Sequence, residues 1–177
     1  MREKEKTMPH RRTRRTRRTV LSVLAVGFVA ALVVGLYRFQ PWRLFTTTTV
    51  DEAPVTATGG APLSVIAAGE FLSHEHETTG SAQLQRSPDG TLVLRITDLR
   101  TSDGPALHVW LTDQPVIGDD WHNFDDGTHL DLGALKGNEG SQNYTLPADT
   151  DLSAIRSVSI WCARFHVSFG AATLTPA

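Results

Sequence analysis

With 177 residues, 40% of them hydrophobic and 20% charged, the chain has the length for one domain and one core. Its formal charge of −2 hides a split: nine of the seventeen Lys and Arg precede Val20, opposed there only by Glu3 and Glu5, while the remainder carries eight basic against seventeen acidic residues. An acidic C-terminal region argues against nucleic-acid binding, which needs a basic surface, and a single cysteine, Cys162, excludes an intramolecular disulfide.

Residues 1–19 read as a basic cytoplasmic tail that contains the run Arg11-Arg12-Thr13-Arg14-Arg15-Thr16-Arg17-Arg18. Residues 20–37 are uncharged and rich in Val, Leu and Ala. Eighteen residues at about 1.5 Å rise reach roughly 27 Å, close to a bilayer's hydrocarbon thickness. The apolar core of a cleaved signal peptide is shorter, about 7–15 residues, and Tyr37, Trp42 and Arg43 supply an interfacial anchor after the span. The expectation is a single-pass signal anchor in the cell membrane, with Val20 to Tyr37 in the bilayer, the arginines inside and the C-terminal domain outside the cytoplasm. Residues 38–62 include TTTTVDEAPVTATGGAP. That composition has too little apolar surface to offset chain ordering and reads as a flexible stalk.

From residue 63 to 177 short alternating runs are separated by turn chemistry, including Pro88-Asp89-Gly90, Asp103-Gly104-Pro105, Asp125-Asp126-Gly127 and Lys136-Gly137-Asn138. Predicted strands cover 64–71, 80–86, 92–99, 106–112, 128–132, 142–146, 157–162 and 167–174, with a single helical turn within 148–155. The fold class is therefore all-β, an antiparallel β-sandwich or barrel of about eight strands preceded by one transmembrane helix.

Cys162 is the first candidate for chemistry. It shares an alternating face with Val158 and Ile160, so it is either a small core hydrophobe or a reactive thiol whose pKa the nearby Arg164 lowers. With no resolving cysteine, a redox role needs a metal, a haem, a second chain or a small thiol. His74-Glu75-His76-Glu77 places two imidazoles at alternate positions, and Cys162 to His166 is a spacing that a turn can bring onto one metal. Cysteine with two histidines suits copper or zinc, although no methionine follows Met8 to serve as an axial ligand. The competing reading of His74 and His76 is a solvated surface motif. His108 and Trp110 share a face, lining a pocket near Cys162 or covering the sheet. The acidic loop 119–127 lacks the ligand register of a calcium loop. No haem-attachment, C-x-x-C, phosphate-binding or nucleophile-elbow motif occurs. No catalytic residue is assigned.

Several separated segments carry a family resemblance. Gly69-Glu70-Phe71, Thr79-Gly80-Ser81-Ala82 and Gly104-Pro105-Ala106-Leu107-His108-Val109-Trp110-Leu111 are followed by Leu132-Gly133-Ala134-Leu135-Lys136-Gly137-Asn138 and Gly140 to Pro147. The series ends in Ile160-Trp161-Cys162-Ala163-Arg164-Phe165-His166 and Ser168-Phe169-Gly170-Ala171-Ala172. In this order they resemble the Skeletor-type DM-thirteen domain over about the last two thirds of the chain. The resemblance implies an extracytoplasmic β-domain with one characteristic cysteine and an electron-transfer or redox role. Cys162, Trp161, His108, Trp110 and Arg164 are then redox or ligand candidates, and His166, His74 and His76 metal candidates. The implied cofactor is copper, a non-covalent haem or none; the implied partner is a redox protein or a cell-surface ligand. The alternative is a non-catalytic binding or adhesion module in which Cys162 is core packing.

Overall fold

The structure, a computed structural model, describes residues 11–177, with side chains from residue 17 onward. Most of the predicted basic tail lies outside the residues so described. The first unit contains one helix, α1 (Arg11–Phe39). Its stretch Arg17–Phe39 is long and apolar enough to cross a membrane, about 34 Å at helical rise. The helix begins well before the predicted span because arginine is a good helix former.

The second unit, Pro41–Ala177, holds all the strands among the described residues. In chain order they are β1 (Thr49–Asp51), β2 (Ser64–Ser73), β3 (Thr79–Arg86), β4 (Leu92–Arg100), β5 (Leu107–Thr112), β6 (His129–Ala134), β7 (Glu139–Thr145), β8 (Ser157–Cys162), β9 (Val167–Thr173) and β10 (Thr175–Pro176). They form one sheet in the order β1-β7-β4-β3-β2-β9-β8-β5-β6, with β10 on β2. The long strand β2 joins its two halves: residues Ser64 to Glu70 pair with β3, and Phe71 to Ser73 pair with β9. A bulge between Val65 and Ala67 interrupts the first ladder, and such an extra residue bends a strand. The sheet therefore curls on itself, and side chains from both halves meet in one core. Leu84, Leu94 and Ile96 come from one half and Val109, Leu111, Val158, Ile160 and Phe169 from the other.

All eight predicted strands are present, and two unpredicted ones are added. One of these, β1, corrects the purely antiparallel expectation, because it pairs in parallel with β7. It also draws part of the predicted stalk into the sheet. Main-chain pairing needs no apolar side chain, so the Thr-rich composition gave no sign of it. The fit depends on two glycines of the partner region: a Cβ on Gly137 would lie 2.6 Å from the Thr48 carbonyl oxygen, and one on Gly140 would collide with that of Val50. Gly140 also has φ of 96°, a conformation that side chains rarely adopt. Just past β1, the Glu52 carboxylate accepts from Lys136 Nζ at 2.8 Å and from the Asn143 amide at 2.7 Å. Those contacts, Lys136 foremost, hold its carboxyl below the usual range. The predicted helical turn within 148–155 is absent. Two tight turns replace it, closed by Thr150 N–H to Pro147 O and Ile155 N–H to Leu152 O.

Candidate functional site

Strand β8 decides where the candidates go. Its alternation sends Val158, Ile160 and Cys162 into the main core and turns Trp161 to the opposite face. Cys162 is 0% exposed, and its thiol donates to the Pro105 carbonyl at 3.3 Å. Burial pushes the thiol pKa up and outweighs the backbone N–H groups of Phe165 and Arg164 and the Arg164 charge, which act in the lowering direction. A low-pKa thiolate is the reverse of what this environment stabilises.

The predicted metal set does not assemble. The turn after β8 is closed by His166 N–H to Cys162 O, with His166 at φ of 53°. That turn carries the imidazole away from the core, where it sits edge-on to Trp161 and its Nδ1 donates to Asp125. His74 and His76 follow β2 in an irregular segment rather than lying on one strand face. His74 packs on Phe124 and His76 on Phe169. Among the described residues no three His, Cys, Asp or Glu side chains are grouped to hold a metal. Copper therefore does not fit these residues as a four-ligand centre, and a thiol enclosed by core side chains offers no face to a haem iron.

What the fold does assemble is an aromatic layer on the outer face of β5, β8 and β9. Trp161, 0% exposed, stacks on Trp110, 8% exposed, at 4.9 Å between ring centroids and 24° between planes. Trp110 stacks in turn on His129 at 3.8 Å and 8°. The cross-strand pairing of β5 with β8 and with β6 sets these rings side by side, since neighbours on one sheet face come within aromatic contact. Phe124 meets the edge of Trp161 at 6.3 Å. His108 lies outside the stack, its Nδ1 donating to Asp131 at 2.8 Å.

The acidic loop between β5 and β6 lies over this layer. Asn123 donates to Pro115 O, His122 Nδ1 to His166 O at 2.6 Å, and the Ser168 amide to Trp121 O at 2.8 Å. Phe124 and His129 were missed by sequence reasoning. His129 sits on a predicted strand next to a turn, but nothing in the one-dimensional pattern reveals its stacking partner, and Phe124 lies in the acidic loop 119–127, whose charges signal solvent rather than burial.

Five buried side-chain polar atoms have no protein hydrogen-bond partner among the described residues, and all lie in this layer or in the segments packed over it: both nitrogens of His74, Nε1 of Trp110 and of Trp161, and Oδ1 of Asn123. Such atoms are few in native proteins, and strain, a redox or catalytic role, or solvent accounts for them where they occur. Burial lowers the His74 pKa, against a smaller raising effect from Asp120. With the folded value below the unfolded one of about 6.5, the unfolded chain takes the proton first, and stability is lost as pH falls below about 6.5. His76 shifts the same way, also through burial. The denaturation midpoint should thus drop between about pH 7 and 5, and His74→Phe should flatten that slope; an unchanged slope would remove His74 from the titrating core.

A protein-family model described as "Electron transfer DM13" matches residues 70–174, a segment that contains every residue of the aromatic layer. No curated protein and no solved structure matches the chain.

Proposed function

The chain belongs to the electron transfer DM13 family, and on that premise we propose that its β-domain passes electrons outside the cytoplasm from a single-pass membrane anchor. We place the conduit in the Trp161–Trp110–His129 stack rather than at the cysteine. The observation that carries this is a continuous ring contact from a fully buried indole to an exposed imidazole. Trp110 gives one electron to a one-electron oxidant at the His129 end. Its radical cation is refilled by one electron from Trp161, which a reductant at the exposed His166 edge restores. Neither indole N–H has a protein acceptor, so the proton stays on the ring and only the electron moves. The cysteine-centred form of the role asks for an accessible thiolate, and burial and the raised pKa of Cys162 weigh against it. In this reading Cys162 is core packing directly behind the conduit.

The test uses full-length protein in nanodiscs, in a Trp42→Phe/Trp121→Phe background, oxidised by flash-generated tris(bipyridyl)ruthenium(III). An indole radical cation should appear, and Trp110→Phe should slow its formation roughly tenfold, equivalent to about 1.4 kcal/mol on the barrier. An unchanged rate would remove the conduit. On intact cells the membrane-impermeant complex should oxidise the domain as well as it does in lysates. Oxidation only after lysis would place the domain on the cytoplasmic side.

A further inference from the structure

The segment that leads into β1 has its polar and apolar sides the wrong way round for water. It is a short 3-10 helix (Pro41–Phe45) with no buried residue. Arg43 Nη1 donates to the Asp103 carboxylate at 3.2 Å and to Gly104 O at 3.3 Å, Thr46 Oγ1 to Asp103 at 2.7 Å, and the Thr48 amide to Asn138 Oδ1 at 2.7 Å. Polar groups therefore brace the segment to the domain, while Trp42, Leu44 and Phe45 are left 50%, 55% and 89% exposed. Resting on the membrane-anchor part of the reading above, we propose that Trp42, Leu44 and Phe45 form a wedge that enters the lipid interface and seats the β-domain against the bilayer surface.

Lipid is the occupant that the chain itself brings to these side chains. The stretch long and apolar enough to span ends at Phe39, and Arg43 follows it by four residues, so covalent reach alone allows no more than roughly 14 Å of extended chain between them. Residues 52–63 add no spacer, because β1 and β2 on either side of them both belong to the sheet. The predicted stalk is thereby reduced to the few residues before the Arg43–Asp103 clamp. A protein partner would have to compete for the same three side chains next to the headgroup layer, which is roughly 5–7 Å deep on each face of a bilayer. The composition agrees with lipid. Arg38 to Val50 contains no Asp or Glu, and tryptophan, phenylalanine and leucine alongside arginine are the residues that settle where acyl chains meet headgroups. An exposed cluster of large apolar side chains on a folded domain marks an interaction site of this kind. Seated by the wedge, the domain keeps one orientation toward the membrane instead of swinging on a tether.

The test places full-length protein in phosphatidylcholine nanodiscs that carry a headgroup nitroxide lipid, with a fluorophore at one of two positions, Ala134→Cys or Pro88→Cys. Ala134 is exposed and lines the same cleft as Arg43 and Thr48. Pro88 is exposed beyond the far end of β4, whose near end continues into Thr101, bonded through its amide to Asn138 O. Nine residues of strand separate the two ends by roughly 30 Å. The native thiol, Cys162, is buried, and wild type carried through the labelling is the blank. Quenching should be strong at Ala134 and weak at Pro88. Trp42→Ser/Leu44→Ser/Phe45→Ser changes exposed residues only, and it should reduce the Ala134 quenching to the Pro88 level at an unaltered thermal midpoint. Equal quenching at the two positions, or quenching at Ala134 that survives the triple substitution, would overturn the proposal. Flotation with phosphatidylcholine vesicles separates the wedge from the anchor it rests on. A chain that does not float removes the anchor and the wedge with it, whereas a chain that floats without contrast between the two positions removes the wedge alone.

Discussion

Replacing Trp161 by alanine is expected to destabilise the β-domain by about 3–5 kcal/mol, the range for truncating a large buried aromatic. The indole is fully enclosed, with Trp110 stacked on it and with Phe124 and His166 at its edges. Its strand is hydrogen-bonded on both sides, to β5 and to β9, so the backbone has little freedom to close the space left behind. The covering loop suffers as well, because Phe124 loses its partner, and amide exchange in residues 113–127 should rise. Trp161→Phe should cost clearly less than it would at a site where the indole N–H is bonded, since here the nitrogen has no protein partner to lose. Urea denaturation of the three proteins checks this. A loss below about 1 kcal/mol for the alanine variant would mean that the outer layer is not a second packed core.

The same alternation explains how much of this was readable in the sequence. Period-two runs and turn residues give eight strands at nearly their observed limits, because the sheet buries one face along most of its length and that face must be apolar. β8 and β5 read correctly, down to which of their residues share a face. The step from sharing a face to sharing a site failed for physical reasons. Trp161 and Cys162 are adjacent in sequence, and adjacency in a strand places side chains on opposite faces. Arg164 and His166 follow in a turn that His166, in the left-handed region, redirects, a conformation too uncommon for a non-glycine residue to be read from the sequence. β1 was hidden for a different reason: a parallel edge strand held by main-chain bonds and by glycines of its partner leaves its signature in Gly137 and Gly140, far along the chain from the Thr48 and Val50 backbone that they accommodate.

Cys162 separates the electron-transfer readings most sharply. In the native fold the thiol should be inert to a disulfide probe such as dithiobis(nitrobenzoate) and should react once the chain is unfolded, because it is fully buried and held toward the neutral form. Cys162→Ser places a stronger hydroxyl dipole in the main core, beside the paired Val167, with only the Pro105 carbonyl to receive it, and should cost about 1–3 kcal/mol. Cys162→Val keeps an apolar group of similar size and should cost under about 1.5 kcal/mol. The pH profile gives an independent reading. A folded thiol pKa above the unfolded value of about 8.5 means that the unfolded chain releases its proton first, so the wild type loses stability as pH rises past about 8.5. The valine variant should lack that component of the loss. If the conduit runs through the tryptophans, photo-oxidation of the Val variant should match the wild type even though its only thiol is gone. Rapid thiol labelling of the native protein, or loss of electron transfer in a stably folded Cys162→Val variant, would return the redox centre to the cysteine and leave the aromatic layer as its support.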